Sequence, residues 1–126
     1  MSFDWSQYFT LAKELATGQQ TSPLHEAKLR SACSRAYYAA FCLARNLLAN
    51  KDSVPLPPDR SAHHKFVPDR FRSSPDALRQ KIGLGLNRLR VDRNKADYDD
   101  SVSGLSAMTQ TDIMMAQNVI TMLGQL

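Results

Sequence analysis

Residues 36–49 (AYYAAFCLARNLLA) constrain the fold more than any other stretch of the chain. They include one charged side chain and neither Gly nor Pro, and Ala and Leu, two of the best helix formers, dominate them. Upstream, Ser22 and Pro23 match a serine N-cap followed by proline at the first helical position, and Ser74 and Pro75 repeat the pattern. The sequence therefore predicts a long central helix that begins at Pro23.

This predicted helix is apolar around nearly its whole circumference. One broad face carries Leu29, Ala32, Cys33, Ala36, Tyr37, Ala40, Phe41, Ala44, Leu47 and Leu48. The opposite side carries Tyr38, Ala39, Cys42 and Ala49, where a surface helix would carry charges. The second face therefore covers either another helix of the same chain or a partner subunit. The second alternative predicts a homodimer formed through the central helix.

Helical periodicity and stop signals predict five helices and no strands. The main helices are expected at residues 4–16, 23–49, 75–98 and 109–123, and a short helix at 61–72. The short helix should bend or end near Pro68, and the three prolines of residues 51–60 predict a flexible loop. Thr109 and Asp112 resemble a capping box. The prediction is an all-α, up-down four-helix bundle with an additional short helix, forming a single domain over residues 1–126.

Composition bears on where such a chain works. It contains no run of eighteen apolar residues, and its N-terminal residues lack a basic region followed by an apolar segment, which argues against a membrane span and against secretion. Cys33 and Cys42 are nine residues apart on one predicted helix, so they point to opposite sides and cannot pair within it. Free thiols are typical of a reducing compartment, and we predict a cytoplasmic protein.

The net charge of +4 is unevenly distributed. Residues 60–95 hold ten of the sixteen Lys and Arg but three of the twelve acids, a balance of +7, and the remainder balances at −3. This asymmetry favours an anionic partner such as nucleic acid, and a solvated basic helix face explains it equally well. No cofactor or metal site is predicted, because the adjacent His63 and His64 point about 100° apart on a helix and no further ligand follows one turn later.

Charges lie along two flanks of the predicted helix over residues 75–98. One flank carries Arg79, Arg90, Arg93 and Asp97, and the other carries Lys81, Arg88 and Lys95. Arg93 lies at the margin of the apolar stripe, so its guanidinium must snorkel, pair or line a cleft. Two alternatives follow: an ion pair with Asp97 one turn later, or an anion site in which Asp97 orients Arg93 to bind phosphate.

Two blocks, SRAYYAAFCLARNLL (residues 34–48) and RNKADY (residues 93–98), with His64 and Phe66 between them, resemble the HEPN superfamily. The likeness is to the small stand-alone HEPN branch with an Arg-x-x-Ala-Asp-Tyr signature, and it extends over about residues 5–123. It implies an up-down helical bundle, commonly a homodimer with a basic cleft between protomers. It also implies RNA binding and, for many members, metal-independent endoribonuclease activity in prokaryotic toxin–antitoxin, CRISPR-linked or phage-defence systems.

The resemblance supplies candidate site residues and one departure. Arg93 and Asn94 match the first positions of the family's Arg-to-His motif, but Tyr98 occupies the place of the His, and a tyrosine hydroxyl is a poor base at neutral pH. The predicted catalytic residues are Arg93, Asp97 and Tyr98, with His64 as a further candidate whose alternative role is packing. The predicted nucleic-acid-binding residues are Arg35, Arg79, Arg90, Arg93 and Asn94.

Three functions are consistent with the sequence. The first is a HEPN-type RNA-binding protein, with a metal-independent endoribonuclease toxin as its catalytic form. The second is a non-catalytic helical interaction or nucleotide-binding module that pairs with a nucleotidyltransferase-type partner such as an antitoxin, and the replaced His is its main support. The third is a structural dimerisation bundle. The sequence leaves enzymatic activity open.

Overall fold

The structure, a computed structural model, describes residues 2–126 and consists of five α-helices. They are α1 Ser6–Ala16, α2 His25–Asn46, α3 His63–Arg72, α4 Ala77–Tyr98 and α5 Leu105–Gly124. A π-helical turn, Leu47–Lys51, extends α2, and a 3₁₀ turn, Arg60–Ala62, leads into α3. The described residues form no strand. The predicted all-α bundle with one additional short helix is confirmed.

Helix α2 occupies the centre of the bundle. It packs against α1, α4 and α5, while α3 packs mainly on α4. Ala39 and Cys42, on the predicted second face, are buried within the single chain. Helix α1 lies on this side, where its Tyr8 ring contacts the Arg35 guanidinium. The same chain therefore covers the second face at these positions, and the homodimer through α2 stays a prediction.

Both predicted Ser-Pro helix starts lie two residues too early. The Ser22 hydroxyl accepts a hydrogen bond from the Leu24 amide (3.2 Å), and α2 begins at His25. The Ser74 hydroxyl likewise accepts from the Asp76 amide (3.1 Å), and the carboxylate of Asp76 then caps α4 through the Arg79 amide (3.1 Å). Each serine closes a local turn before its helix, because a hydroxyl can bond the amide two residues on as readily as it caps.

Helix α3 continues through Pro68 to Arg72. The sequence predicts a bend or an end near this proline, and the second of these two alternatives is wrong. Pro68 has no N–H for the carbonyl of His64 one turn earlier. That carbonyl accepts a hydrogen bond from the Arg90 guanidinium instead (3.1 Å). Gly83 lets α4 approach closely here, since a Cβ at this position would lie 2.8 Å from the Pro68 carbonyl oxygen.

Helix α5 begins at Leu105, four residues before the predicted capping box. Gly104 precedes it with φ +65°, a conformation that glycine adopts at little cost. Thr109 is buried within the helix, and its hydroxyl donates to the Leu105 carbonyl (2.8 Å). The same hydroxyl oxygen lies 3.3 Å from the sulfur of Cys33. Asp112 is likewise buried within the helix rather than at its start. The predicted capping box is therefore wrong, because both side chains point into the core.

The proline-rich connection between α2 and α3 is attached to the bundle near both ends. Asp52 forms an ion pair with Arg79 of α4 (2.7 Å), and the Val54 amide donates to the Leu48 carbonyl (2.8 Å). At the other end, the carbonyl of Pro57 lies 2.7 Å from a ring nitrogen of His63. Its predicted flexibility stays a prediction. Across residues 2–126, no helix has both the length and the apolar character that crossing a bilayer requires.

Candidate functional site

Arg93 is held from three sides near the C-terminal end of α4. Its Nη2 donates to the Tyr38 hydroxyl of α2 (2.8 Å), and its Nη1 donates to the side-chain oxygen of Asn94 (3.1 Å). Its Nε lies 2.8 Å from the Asp97 carboxylate, but the N–H does not point at that oxygen, so the contact is an ion pair without a good hydrogen bond. Asp97 also accepts a weak hydrogen bond from the Ser34 hydroxyl (3.4 Å). The predicted Arg93–Asp97 pair is present.

Three tyrosine rings surround the Arg93 guanidinium. Its central carbon lies 5.1 Å from the centre of the Tyr38 ring, 5.8 Å from Tyr98 and 5.9 Å from Tyr37. Tyr98, the last residue of α4, is 73% exposed. These contacts restrict the position of the guanidinium, and the Arg93 side chain is 16% exposed.

His64 of α3 packs against the same tyrosines. Its Nδ1 lies 2.5 Å from the Tyr37 hydroxyl, and its ring stacks on Phe41 with the ring centres 4.6 Å apart. Burial, followed by the positive charges of Arg93 and Arg90, lowers the pKa of His64 below its ordinary value. The ring is therefore neutral at pH 7, with one nitrogen protonated and the other able to accept a proton.

An open cleft of about 530 Å³ adjoins His64. It is lined by Trp5, Tyr38, Phe41, Cys42, Arg45, Leu56, Arg60, His63 and His64. Arg45 and Arg60 have no carboxylate within ion-pair distance among residues 2–126. The cleft thus combines aromatic walls with two arginines whose charges the described residues leave uncompensated.

The structure brings most, but not all, of the predicted binding residues to this site. The Arg35 guanidinium lies 4.6 Å from the Tyr8 ring and 5.4 Å from the Tyr38 ring, at the edge of the cluster. Arg90 contacts the backbone of His64. Arg79 is engaged by Asp52, and it lies fourteen residues before Arg93, about 21 Å along the helix. Arg79 is therefore not part of the site.

The C-terminal turn of α4, which carries Asp97 and Tyr98, is fixed by Arg30 of α2. The Arg30 guanidinium donates to the backbone carbonyls of Ala96 (3.1 Å), Asp99 (2.6 Å) and Asp100 (3.2 Å). Carbonyls at a helix C-terminus lack intrahelical partners, and a cation there also complements the helix dipole. Sequence reasoning missed this role, which depends on residues more than sixty positions apart.

A buried carboxyl pair between α4 and α5 was also missed. Asp92 is 2% exposed, and Asp112 of α5 is 1% exposed. Burial, then the proximity of Asp92, raises the pKa of Asp112 to about 8, so the pair holds a proton at neutral pH. Arg88 donates to Asp92 (3.2 Å) from the surface side. No sequence signal marks this pair, because Asp112 fits a helix-capping pattern and Asp92 looks like one more surface charge.

No family model, curated protein or solved structure matches this chain. Membership of the HEPN superfamily stays a prediction, and the chemistry of the site follows from its geometry. A fixed guanidinium, a neutral imidazole and exposed aromatic faces can bind a phosphate, exchange a proton and stack a base. Among residues 2–126, no group of three or more His, Cys, Asp or Glu is placed to hold a metal ion.

Proposed function

We propose that this chain is a HEPN-type RNA-binding protein and a metal-independent endoribonuclease. Its RNA site would consist of the cleft beside His64 and of Arg93, which bonds Tyr38 of the cleft wall. One observation carries the proposal: Arg93 and His64, 29 residues apart in sequence, meet at the same pair of tyrosines. Tyr38 binds Arg93, and Tyr37 binds His64. A guanidinium that can bind phosphate and an imidazole that can exchange a proton are therefore close together.

Arg93 is suited to a phosphate. A guanidinium has five N–H groups, of which Nε–H lies beside Asp97 and one on each Nη bonds Asn94 or Tyr38. One N–H on each Nη is left, and these two can bind the oxygens of a phosphodiester in bidentate fashion. The side chain is 16% exposed, so the bond would form where water competes little.

The aromatic walls favour single-stranded RNA. Trp5 and Tyr38 line a cleft open to solvent over the buried Phe41, and Arg45 and Arg60 add positive charge beside them. Unpaired bases stack on such rings with little regard to sequence, while cations track the backbone. A duplex hides its base faces and would leave these rings unused.

Cleavage would use His64 in place of the His that the motif lacks. The step requires the tautomer in which Nδ1–H donates to the Tyr37 hydroxyl, because the neutral ring then presents Nε2 as a base for the ribose 2′-hydroxyl. The 2′-oxygen then attacks the phosphorus, a 2′,3′-cyclic phosphate forms, and the bond to the 5′-oxygen breaks. The 5′-oxygen takes up a proton from water, and His64 returns its proton to the solvent. Arg93 would stabilise the charge that develops on the phosphate oxygens. Tyr98 stands at the exposed edge, where we assign it contact with the RNA.

The test measures binding and cleavage of a single-stranded RNA in EDTA. We expect Arg93→Ala to weaken binding about tenfold, the usual effect of losing charged hydrogen bonds. His64→Gln, which keeps a polar group opposite Tyr37, should bind RNA normally and cleave roughly 10²–10⁴-fold more slowly. Lys65→Gln, on an exposed part of α3, is the matched control. Unchanged binding in Arg93→Ala would overturn the proposed site, and unchanged cleavage in His64→Gln would overturn the proposed base.

A second candidate is a non-catalytic nucleotide-binding module that pairs with a nucleotidyltransferase-type partner. The size of the cleft favours it, since about 530 Å³ lies in the range of pockets that hold small ligands. Tight binding of a mononucleotide that Arg45→Ala weakens, with no RNA cleavage by the wild type, would favour this function over the first.

The biological setting that we propose is a cytoplasmic toxin of a prokaryotic toxin–antitoxin or phage-defence system, acting as a homodimer. It is supported by the resemblance of residues 34–48 and 93–98 to the HEPN superfamily. Growth arrest on expression, relieved by Arg93→Ala, would support the toxin. A monomer in sedimentation at micromolar concentrations would contradict the homodimer.

A further inference from the structure

The outer surface of α5 carries no charge, an unusual property for a surface helix. Among its twenty residues the one ionisable side chain is Asp112, which is buried. Met114 is 68% exposed, and the remaining exposed positions are Ser, Ala, Gln, Thr, Asn and Gly. A helix on the surface of a bundle normally shows charges on its solvent side. The α5 surface is therefore mostly polar and uncharged, so it neither attracts nor repels a charged partner.

The neighbouring outer face of α4 carries an apolar row with the spacing of a helix–helix seam. Leu84, Val91 and Tyr98 follow each other at intervals of seven residues and are 57%, 52% and 73% exposed. A basic row runs beside them, formed by Lys81, Arg88 and Lys95. In a two-helix seam two positions of every seven are apolar, and this row supplies one of the two, with charges alongside of the kind by which a helix selects its partner.

A groove of about 340 Å³ lies between these two helices. Its floor is formed by Gly85, Met115, Val119 and Met122, and the basic rim beside it begins with Lys81 and Arg88. The floor is aliphatic and holds no aromatic ring on which a nucleobase could stack, which favours protein over nucleic acid. Methionine side chains suit such a groove because they adapt to the apolar residues of a partner.

We propose that the α4/α5 groove binds an amphipathic helix of a partner protein whose flank towards α4 is acidic. The partner's apolar residues lie along Leu84 and Val91, its acids meet Lys81 and Lys95, and its other flank meets the uncharged α5. A second copy of the chain packed with α4 on α4 is disfavoured, because a two-fold axis across the helices would bring the two basic rows together. The groove shares no lining residue with the cleft beside His64, and Tyr98, at the end of the α4 row, is the residue that the two surfaces have in common.

The test uses a defined probe. A 21-residue helical peptide carries Leu at positions a and d of three heptads and Glu at positions e and g, where self-repulsion keeps it monomeric. Its control carries Lys in place of Glu. We expect the Glu peptide to bind the full chain in fluorescence anisotropy at least about tenfold more tightly than the Lys peptide. Lys81→Glu with Lys95→Glu, two lysines without an ion pair among residues 2–126, should invert this preference.

Two further variants make the result specific to the groove. Lys13→Glu with Lys65→Glu makes the same change in net charge on α1 and α3 and should leave the preference for the Glu peptide intact. Leu84→Gln with Val91→Gln should lose both peptides while still binding RNA. Equal binding of the two peptides, binding of neither, or self-association of the chain that the Lys81/Lys95 pair of substitutions abolishes would overturn the proposal.

Discussion

The Arg90 guanidinium donates a hydrogen bond to the His64 carbonyl (3.1 Å), the one acceptor that Pro68 leaves without its helical donor. A side chain of α4 thus replaces a backbone bond of α3. The bond helps to position the imidazole of His64, because it fixes the backbone of this residue, whose side chain contacts Tyr37.

This relationship predicts a coupling between Arg90 and Pro68. Arg90→Met should lower the free energy of unfolding by about 1–3 kcal/mol, since the His64 carbonyl loses its donor. In a Pro68→Ala background the backbone N–H gained at this position supplies that donor, so the same substitution should cost much less. Urea unfolding of the four proteins measures the coupling, and strictly additive effects would show that the two residues act independently.

The buried carboxyl pair predicts a stability that falls as the pH rises. The folded-state pKa of Asp112 is raised to about 8 from an unfolded value near 4, so the folded state binds more protons between these values. Its stabilising contribution is complete below about pH 4, declines as the pH rises towards 8, and is lost above.

Asp112→Asn tests this by replacing the carboxyl group with a neutral one of the same shape. It should raise the free energy of unfolding at pH 8 by roughly 1–3 kcal/mol and flatten its pH dependence from 5 to 8. Asp100→Asn, at an exposed position, is the control and should do neither. An unchanged pH profile of stability in Asp112→Asn would show that the Asp92–Asp112 pair does not hold a proton in the folded state.

Gly83 should tolerate no side chain. A Cβ there would lie 2.4 Å from the Arg72 Cγ and 2.8 Å from the Arg72 amide nitrogen. Gly83→Ala should therefore destabilise the fold by about 1–3 kcal/mol through overpacking, although alanine favours helix by about 1 kcal/mol. Gly124→Ala, with no neighbouring atom within 4 Å, should be neutral or stabilising in the same thermal unfolding experiment.

Arg30 should control the order of the site without touching a ligand. Arg30→Ala removes the donor to the carbonyls of Ala96, Asp99 and Asp100. We expect the free energy of unfolding to fall by about 1–3 kcal/mol. Hydrogen exchange should accelerate first in residues 93–100. Glu26→Gln, which removes the exposed ion-pair partner of Arg30, should change stability by less than about 0.5 kcal/mol. Equal exchange in the two variants would argue against the capping role.

The sequence was sufficient for the helices and for one pair in the site, and the reasons are physical. Apolar periodicity reports which side of a helix is buried, so all five helices were predictable, and so was the Arg93–Asp97 pair at i,i+4. Helix starts were less so: a serine hydroxyl can close a turn or cap a helix, and only the backbone decides, as Ser22 and Ser74 show.

The convergence of α2, α3 and α4 was beyond sequence reasoning. Tyr37 could be assigned to packing and His64 to packing or catalysis, but nothing local indicates that their side chains meet. Arg79 and Arg93 looked equivalent on one helix flank, and the position of Asp52 separates them. Local patterns specify which face of a helix a residue occupies, whereas the identity of its neighbour depends on how the helices pack.

Arg93 and His64 belong to helices that differ in how firmly they are packed. Arg93 belongs to a long helix packed on the centre of the bundle, whereas His64 belongs to ten residues held chiefly by α4. A local opening that released α3 would withdraw the imidazole and leave the guanidinium in place. Under the proposed function, such a state would bind RNA without cleaving it, so cleavage would require α3 to be packed on α4.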